Sequence, residues 1–216
     1  MDGLGHEVKI QRKEIVMKII RNPNHPRKGS STRVEPIRSV KDVKSISKLL
    51  KDNPRDRLLF VMGINNGLRA GDLLKLKVSD VRDLKVGDHL KIRESKTGKE
   101  NLLIVNKPVK DALKEYFDIR SPVDEEYLFK SRKGTGALTI QAVNNKVKKW
   151  AASINLKGNY GAHTLRKTWG YFQRKFYGVG FELICRRFNH SSPAITMRYL
   201  GIEDKEVIDL LMNEVG

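Results

Sequence analysis

Hydrophobic residues recur along most of the chain at spacings of three and four, which is the period of an amphipathic helix. The clearest case lies in the last third of the chain, where Leu165, Trp169, Phe172 and Phe176 follow one another at intervals of four, three and four. These side chains share one helical face, so we predict a helix that begins near Thr164 and buries that face.

Further helices are predicted where a capping residue or a proline precedes an apolar pattern. They cover about 39–50, 54–64, 68–76, 109–117, 139–151 and 203–212. The first of them should bury Val43, Ile46, Leu49 and Leu50. The continuous apolar run 58–64 in the second should lie at the centre of the hydrophobic core.

Two short segments between these helices are predicted to be strands. They run from His89 to Arg93 and from Asn101 to Val105, on either side of a polar turn that contains Gly98. Their spacing is typical of an antiparallel β-hairpin. The predicted fold class is therefore mainly α with a small antiparallel β-sheet (α+β).

Composition indicates a polyanionic partner. The chain carries 43 Lys and Arg against 25 Asp and Glu, a formal net charge of +18 with an isoelectric point near 10.0. Nucleic acid is the usual partner of such a basic globular chain, although charge alone does not exclude a solvated basic surface or a ribosomal type of protein.

Other sequence features exclude whole classes of protein. No apolar run approaches the length of a membrane span, and no secretory signal opens the chain, so no membrane partner is expected. The single cysteine, Cys185, lies among apolar residues and indicates a small buried side chain in a reducing cytoplasm. The five histidines lack metal-ligand spacing, so we expect neither a metal nor another cofactor.

Residues 1–35 differ from the rest of the chain. They contain a short amphipathic helix followed by a basic, turn-rich stretch around residues 22–31. We predict an N-terminal helix and basic linker over 1–35 and a compact domain over 36–216. The first segment either contacts phosphates or is the remnant of a further N-terminal domain, and the sequence leaves both interpretations open.

Four residues in the last third of the chain suggest phosphoryl transfer. His163 and Arg166 lie three positions apart at the predicted N-terminus of a helix, a place that attracts anions. His190 follows, and Tyr199 lies nine residues beyond it. A phosphate site close to a tyrosine is compatible with a phenolic nucleophile, but a capping histidine and a half-buried core tyrosine are the simpler explanation.

The order of short sequence words along the chain resembles the tyrosine recombinase (phage integrase) family. The words are Gly67-Leu68-Arg69, Ser95-Lys96-Thr97-Gly98, His163-Thr164-Leu165-Arg166, Asn189-His190-Ser191 and Arg198-Tyr199-Leu200. The resemblance covers about 36–212. It implies the catalytic-domain fold of DNA breaking-rejoining enzymes and a site-specific recombinase that cleaves and rejoins strands through a covalent 3′-phosphotyrosyl intermediate.

The resemblance assigns a catalytic role to three of these residues. Arg69 and Arg166 are implied to clamp the non-bridging phosphate oxygens, for which a planar and permanently charged guanidinium is well suited. Tyr199 is implied to attack phosphorus. Because a free phenol has a pKa of about 10, this nucleophile needs nearby cations and a base.

The remaining roles follow from the same resemblance. His163 is the implied acid/base, Lys96 the general acid for the departing 5′ oxygen, and His190 a hydrogen-bond donor to phosphate. Two positions depart from the family pattern. Asp72 replaces the usual Glu, so it would support Arg69 with a shorter side chain, and Asn189 replaces Gly, although Asn tolerates the positive φ of a tight turn.

Three alternatives to a recombinase stay open. They are a type IB topoisomerase-like enzyme, a non-catalytic DNA-binding protein and a basic RNA-binding protein. The resemblance implies double-stranded DNA as partner, a homo-tetramer on paired DNA sites and a monomer without DNA, located in the cytoplasm with the nucleoid. It also suggests that segment 1–35 is the remnant of a DNA-clamping domain.

Overall fold

The structure is a computed structural model, and it describes residues 33–202, 208–209 and 211–214. The helix and linker predicted over 1–35 lie almost wholly outside these residues, so the division into 1–35 and 36–216 stays a prediction. In the part of the chain that the structure describes, no helix combines the length and the apolar composition needed to cross a membrane.

The described part of the chain is mainly helical, with one two-stranded antiparallel sheet. In chain order the elements are α1 (Val40–Leu49), α2 (Pro54–Asn66), α3 (Ala70–Leu73), β1 (His89–Arg93), β2 (Glu100–Ile104), α4 (Lys107–Arg120), α5 (Ile140–Ser153), α6 (Ala162–Lys175), α7 (Phe181–Phe188) and α8 (Pro193–Leu200). The predicted α+β fold class is confirmed.

Side-chain caps begin several helices where the sequence predicted them. The Ser39 hydroxyl accepts a hydrogen bond from the Asp42 N–H at 3.0 Å, and the Thr139 hydroxyl accepts one from the Ala142 N–H at 3.1 Å. Each bond pairs one of the N–H groups that a helix leaves unsatisfied at its N-terminus. Pro54 occupies the first turn of α2, where its missing N–H costs nothing.

The core forms around α2, as the apolar run 58–64 predicted. Leu58, Leu59, Phe60 and Met62 are fully buried, because this helix packs against both α4 and α6. The Phe60 ring meets Trp150 of α5 edge to face, with the ring centroids 6.0 Å apart. The fold therefore fixes the C-terminus of α2, which reaches the candidate site, from several sides.

Two predicted buried positions are wrong. Leu49 is 45% exposed, because the last turn of α1 turns this side chain away from the core that Ile46 and Leu50 enter. Phe176 is 51% exposed and lies at the C-cap of α6, where its ring stacks on Phe172 with the centroids 4.5 Å apart. In both cases the apolar pattern extends past the end of the buried face.

The hairpin has the predicted antiparallel pairing, with β2 beginning one residue earlier than expected. Leu90 pairs with Leu103, and Ile92 pairs with Asn101. Leu103 is fully buried, whereas the turn that joins the strands is exposed. One face of the hairpin therefore rests on the core and its turn extends away from it.

A second, smaller hydrophobic cluster holds the last two described helices. Its buried members are Phe181, Ile184 and Phe188 of α7, Leu200 of α8, and Ile202. This cluster packs on the face of α6 that carries Gly170. A Cβ at Gly170 would lie 2.7 Å from the Phe188 ring and 3.0 Å from Leu200, so α7 and α8 can approach α6 only because this position has no side chain.

The predicted C-terminal helix over 203–212 falls largely outside the described residues, which include only four of its positions. Three of the four are apolar and exposed: Ile208 at 62%, Leu211 at 78% and Met212 at 77%.

Replacement of Gly170 by Ala should destabilise the protein. Within a helix this change ordinarily stabilises by about 1 kcal/mol, but overpacking against an aromatic ring costs about 1–3 kcal/mol. We therefore expect a lower thermal unfolding midpoint than wild type. Gly136→Ala is the control, since nothing lies within 4 Å of its Cβ and its φ is not positive. An unchanged or higher midpoint for Gly170→Ala would contradict the close packing of α7 and α8 on α6.

Candidate active site

Arg166 lies at the centre of the candidate site. Its side chain is 2% exposed, and its two terminal nitrogens donate hydrogen bonds of 2.7 Å to the backbone carbonyls of Gly67 and Phe188. The guanidinium also stands over the Phe188 ring, 4.3 Å from its centroid. These carbonyls lie at the C-termini of α2 and α7, where the helix dipole favours a cation.

Arg69 is paired with a carboxylate from the hairpin. It occupies the N-cap position of α3, directly after the turn in which Gly67 adopts a φ of 60°. Its Nη1 lies 2.5 Å from Oε2 of Glu94, a residue at the end of β1 that is 1% exposed. The sequence analysis did not identify Glu94.

Asp72 contacts the hairpin. Its Oδ1 accepts hydrogen bonds from the Ser95 N–H at 2.9 Å and from the Ser95 hydroxyl at 2.7 Å. The carboxylate that meets the Arg69 guanidinium is that of Glu94. Support of Arg69 by Asp72 therefore stays a prediction, and the contact present here fixes the start of the turn.

Tyr199 and His163 approach one another across the site. His163 lies in the first turn of α6, which is fixed by a hydrogen bond of 3.0 Å from the Gly161 N–H to the Thr164 hydroxyl. The Tyr199 hydroxyl on α8 lies 3.5 Å from His163 Nδ1. The distance is at the outer limit of a hydrogen bond, and it places the phenol next to an imidazole nitrogen.

His190 is oriented by the short turn that follows α7. Asn189 adopts the left-handed conformation with a φ of 52°, as expected for an Asn at a tight turn, and the His190 N–H bonds to the Cys185 carbonyl at 3.1 Å. Nδ1 of His190 lies 3.0 Å from the Thr196 hydroxyl. The His190 ring meets the Tyr199 ring edge to face, with centroids 5.2 Å apart.

Lys96 lies on the exposed turn of the hairpin. It lines a cleft of about 240 Å³ with Arg69, Asp72, Ser95 and His163. The turn, the start of α3 and the start of α6 therefore meet around one opening. Four of the predicted residues therefore line this cleft, and they come from three distant parts of the sequence.

Burial and the surrounding cations lower the pKa values of both histidines of the site. Partial burial lowers the pKa of His163, and the neighbouring cations lower it further, foremost Arg166 and Lys167. The pKa of His190 falls to about 4, because burial and the positive charge of Arg166 both disfavour the imidazolium. Both imidazoles are therefore neutral near pH 7 in the free protein.

Tyr199 and Arg166 respond to the same surroundings in different ways. Burial raises the pKa of the Tyr199 phenol, against the opposing charges of Arg166 and Arg69. Burial lowers the pKa of Arg166 to about 10, so the guanidinium stays charged at neutral pH. The free protein thus holds a neutral phenol beside a neutral imidazole and two guanidinium cations.

Two residues of the site have signals that the sequence analysis overlooked. Glu94 follows Ile92 by two positions and so lies on the inward face of the strand, where an unpaired carboxylate would be costly. Lys167 directly follows Arg166, is 6% exposed, and has its ammonium 4.6 Å from the centroid of the Tyr199 ring. A buried cation beside the predicted nucleophile adds to the positive potential of the site.

The arrangement provides the parts that an anionic phosphorus centre requires. Guanidinium groups can neutralise charge on phosphate oxygens, and a phenol lies next to a neutral imidazole that can take its proton. The described residues contain no group of three or more His, Cys, Asp or Glu arranged to hold a metal ion.

Comparison with known proteins gives a consistent result. Residues 38–206, well over half of the chain, match the model of the Phage integrase family. The chain is 38% identical over 174 residues to "Probable integrase/recombinase YoeC" of Bacillus subtilis, a match that covers 79% of this chain and 91% of that protein. It is 29% identical over 164 residues to "Tyrosine recombinase XerC" of Thermodesulfovibrio yellowstonii, covering 72% of this chain but only 53% of that protein.

Solved structures share the fold. The XerA recombinase aligns with a TM-score of 0.67 at 20% identity, over 84% of this chain and 67% of that one. A lambda integrase dimer bound to a COC′ core site aligns with a TM-score of 0.59 at 19% identity, over 89% of this chain and 56% of that one. The chain thus spans about half the length of some of the proteins that it matches.

The family match and the Bacillus relative agree with the fold and with the order of the sequence words. The predicted family and enzyme class are confirmed: the chain belongs to the phage integrase family, the tyrosine recombinases.

Proposed function

We propose that this protein is a site-specific DNA recombinase that works through a covalent 3′-phosphotyrosyl intermediate on Tyr199. One observation carries the proposal. The Tyr199 hydroxyl lies 3.5 Å from His163 Nδ1, beside the buried guanidinium of Arg166, in a site that Arg69 and Lys96 join from other elements. A tyrosine serving only as a core aromatic has no need of these cations.

The proposed cleavage step exchanges one phosphoester for another. The Tyr199 oxygen attacks phosphorus and the bond to the 5′ oxygen breaks, while the phenolic proton passes to His163. Lys96 gives a proton to the departing 5′ oxygen. The reverse step, with a 5′ hydroxyl as nucleophile, rejoins the strand, and because the phosphotyrosyl bond retains the ester's energy, rejoining needs no other energy source.

The arginines and His190 serve the transition state in this proposal. Arg69 and Arg166 bind the non-bridging oxygens, where negative charge increases as the tyrosine attacks. Because Arg166 is already held by two carbonyls, it is preorganised for this task. The other nitrogen of the His190 ring is the group that would meet phosphate, since Nδ1 faces Thr196.

The net charge of +18 supports double-stranded DNA as the partner. The similar lambda integrase, a dimer bound to a core site, supports assembly on DNA. We propose a monomer that assembles into a tetramer on paired sites at the nucleoid. The exposed Ile208, Leu211 and Met212 are apolar side chains that a neighbouring copy could cover.

A type IB topoisomerase-like activity is the second candidate, because it would use the same groups without exchanging strands.

Replacement of Tyr199 by Phe should abolish the covalent adduct and leave DNA affinity nearly unchanged, since only the nucleophilic oxygen is lost. A nicked suicide substrate, from which the cleaved fragment diffuses away, would trap the adduct for a denaturing gel. Tyr177→Phe is the matched control because that ring is 72% exposed. Adduct on the Tyr199→Phe protein would exclude Tyr199 as the nucleophile, and exchange of strands between two sites would separate a recombinase from a topoisomerase.

Loss of either clamp arginine should slow cleavage far more than it weakens binding. For Arg69→Ala and Arg166→Ala we expect single-turnover rates about a hundredfold lower or more, because the charge acts mainly on the transition state. Lysine should restore little, since it lacks the planar fork. Arg120→Ala, at the exposed end of α4, controls for lost positive charge. Cleavage at a near-normal rate by the Arg69→Ala protein would exclude the clamp.

The pH dependence of cleavage should reveal His163 as the base. A base must be unprotonated, so the rate at subsaturating DNA should fall as pH drops through the pKa of His163 in the free enzyme. That pKa is lowered from 6.5, so the midpoint of the acid limb should lie below 6.5. His190, with a pKa of about 4, would titrate separately. If the His163→Gln protein loses cleavage rate at low pH as wild type does, the titrating group is not His163.

A further inference from the structure

Glu94 is a buried carboxylate at the junction of β1 and the turn that carries Lys96. It is 1% exposed, and three side chains surround it: Thr97 donates to Oε2 at 2.6 Å, Asn101 donates to Oε1 at 2.8 Å, and Arg69 Nη1 lies 2.5 Å from Oε2. A carboxylate in this position would be costly without such partners.

Glu94 is ionised at every physiological pH. Burial alone would raise its pKa, but the hydrogen bonds from Thr97 and Asn101 and the adjacent Arg69 guanidinium outweigh burial and lower the pKa to about 2. The carboxylate therefore presents a full negative charge to Arg69. It is thus a permanent anchor for the guanidinium.

The same residue closes the turn. The Glu94 N–H donates to the Lys99 carbonyl at 2.9 Å, and the Gly98 N–H donates to the Glu94 carbonyl at 2.9 Å. With the Thr97 hydroxyl on its carboxylate, Glu94 holds the turn at three points. Lys96 lies inside the loop that these bonds close. Any residue at position 94 could make the two backbone bonds, so the contribution of the Glu94 side chain to the turn is its bond from Thr97.

Through Asn101 the anchor extends to the elements that hold Arg166. The Asn101 side chain donates to Glu94 and accepts a hydrogen bond of 2.6 Å from Arg187 Nη1. Arg187 Nη2 donates to the Asn66 carbonyl at 2.6 Å, next to the Gly67 carbonyl that binds Arg166. The turn is thus fixed relative to the C-terminus of α2 and to α7.

Two effects of Glu94 on Arg69 oppose each other. A carboxylate so close reduces the net charge that the guanidinium offers to phosphate, yet it also fixes a side chain that would otherwise lose rotational freedom on binding. A guanidinium has five donors in a rigid fork, and the contact with Glu94 uses Nη1, so donors remain for phosphate oxygens. Holding the Arg69 side chain in place outweighs the reduction of its net charge if two cations must bind one phosphate in a single geometry.

We propose that Glu94 is a positioning residue that holds Arg69 and the Lys96 turn in one fixed arrangement, so that both cations reach the same phosphate together. This inference rests on the proposed recombinase function. It assigns Glu94 no contact with DNA, and its effect is exerted through Arg69 and Lys96.

A mutant cycle tests the proposal with the full chain and the suicide substrate. Glu94→Gln should cleave at least about tenfold more slowly than wild type with DNA affinity within about twofold, because residues in contact act as a unit. In an Arg69→Ala or a Lys96→Ala background the same substitution should cost only about threefold, since one of its two targets is already absent. Glu94→Asp, which retains the charge, should recover part of the rate.

Two further variants complete the experiment. Glu100→Gln removes an exposed carboxylate from the same hairpin and should cleave like wild type. Thr97 lies on the exposed turn, and Thr97→Val deletes its bond to Glu94 together with a longer bond of 3.3 Å that its hydroxyl accepts from the Lys99 N–H. The substitution buries no new group, so this variant should fold even if Glu94→Gln does not. We expect it to cleave about threefold more slowly, because the Glu94 carboxylate loses one of the donors that fix it.

The outcomes are distinct. An equal loss from Glu94→Gln in all three backgrounds would show a general structural role and overturn the proposal, as would wild-type rates for both Glu94→Gln and Thr97→Val. Faster cleavage by Glu94→Gln would show that charge reduction dominates, and it would also overturn the proposal. If wild type itself forms no adduct, the proposed function fails and this inference with it, whereas an active wild type with no Glu94 effect overturns the inference alone.

Discussion

The site depends on one buried guanidinium. Arg166 is 2% exposed and joins the C-terminus of α2, through the Gly67 carbonyl, to that of α7, through the Phe188 carbonyl. Those carbonyls belong to helix ends that have no intrahelical partners, and the dipoles of both helices favour a cation there. Without Arg166 two buried carbonyls would be unpaired. The residue that we propose as a phosphate ligand is thus also the residue that connects the main core to the smaller cluster beneath Tyr199.

This arrangement explains why the hairpin has its own anchor. Arg166 fixes α6, α7 and the end of α2, but Lys96 lies on an exposed turn beyond them. Glu94 and Asp72 provide the missing restraint, one by binding Arg69 and the turn, the other by binding Ser95. Two buried carboxylates among so many cations do not neutralise the site. They set the positions of the charges that a phosphodiester would offset.

Much of this organisation was predictable from the sequence, and the exceptions have physical causes. Local backbone chemistry can be predicted from the residue types alone. It determines the helix caps at Ser39 and Thr139 and the positive φ of Asn189. The exposure of Leu49 and Phe176 depends on where a neighbouring element ends, which periodicity does not encode. The pairing of Arg69 with Glu94 joins residues brought together only by the hairpin's placement, so the family pattern directed attention to Asp72 instead.

The cations also determine how the proposed base would work. In the free protein partial burial and then these cations lower the pKa of His163, which makes the imidazole neutral but also a weak base. Burial meanwhile raises the pKa of the Tyr199 phenol, so spontaneous formation of a phenolate is unfavourable. A phosphodiester bound to Arg69 and Arg166 would offset their charge, and the pKa of His163 would rise. The histidine would therefore become the stronger base only when a phosphate is in place, and the phenol would lose its proton next to the phosphorus that it attacks rather than to solvent.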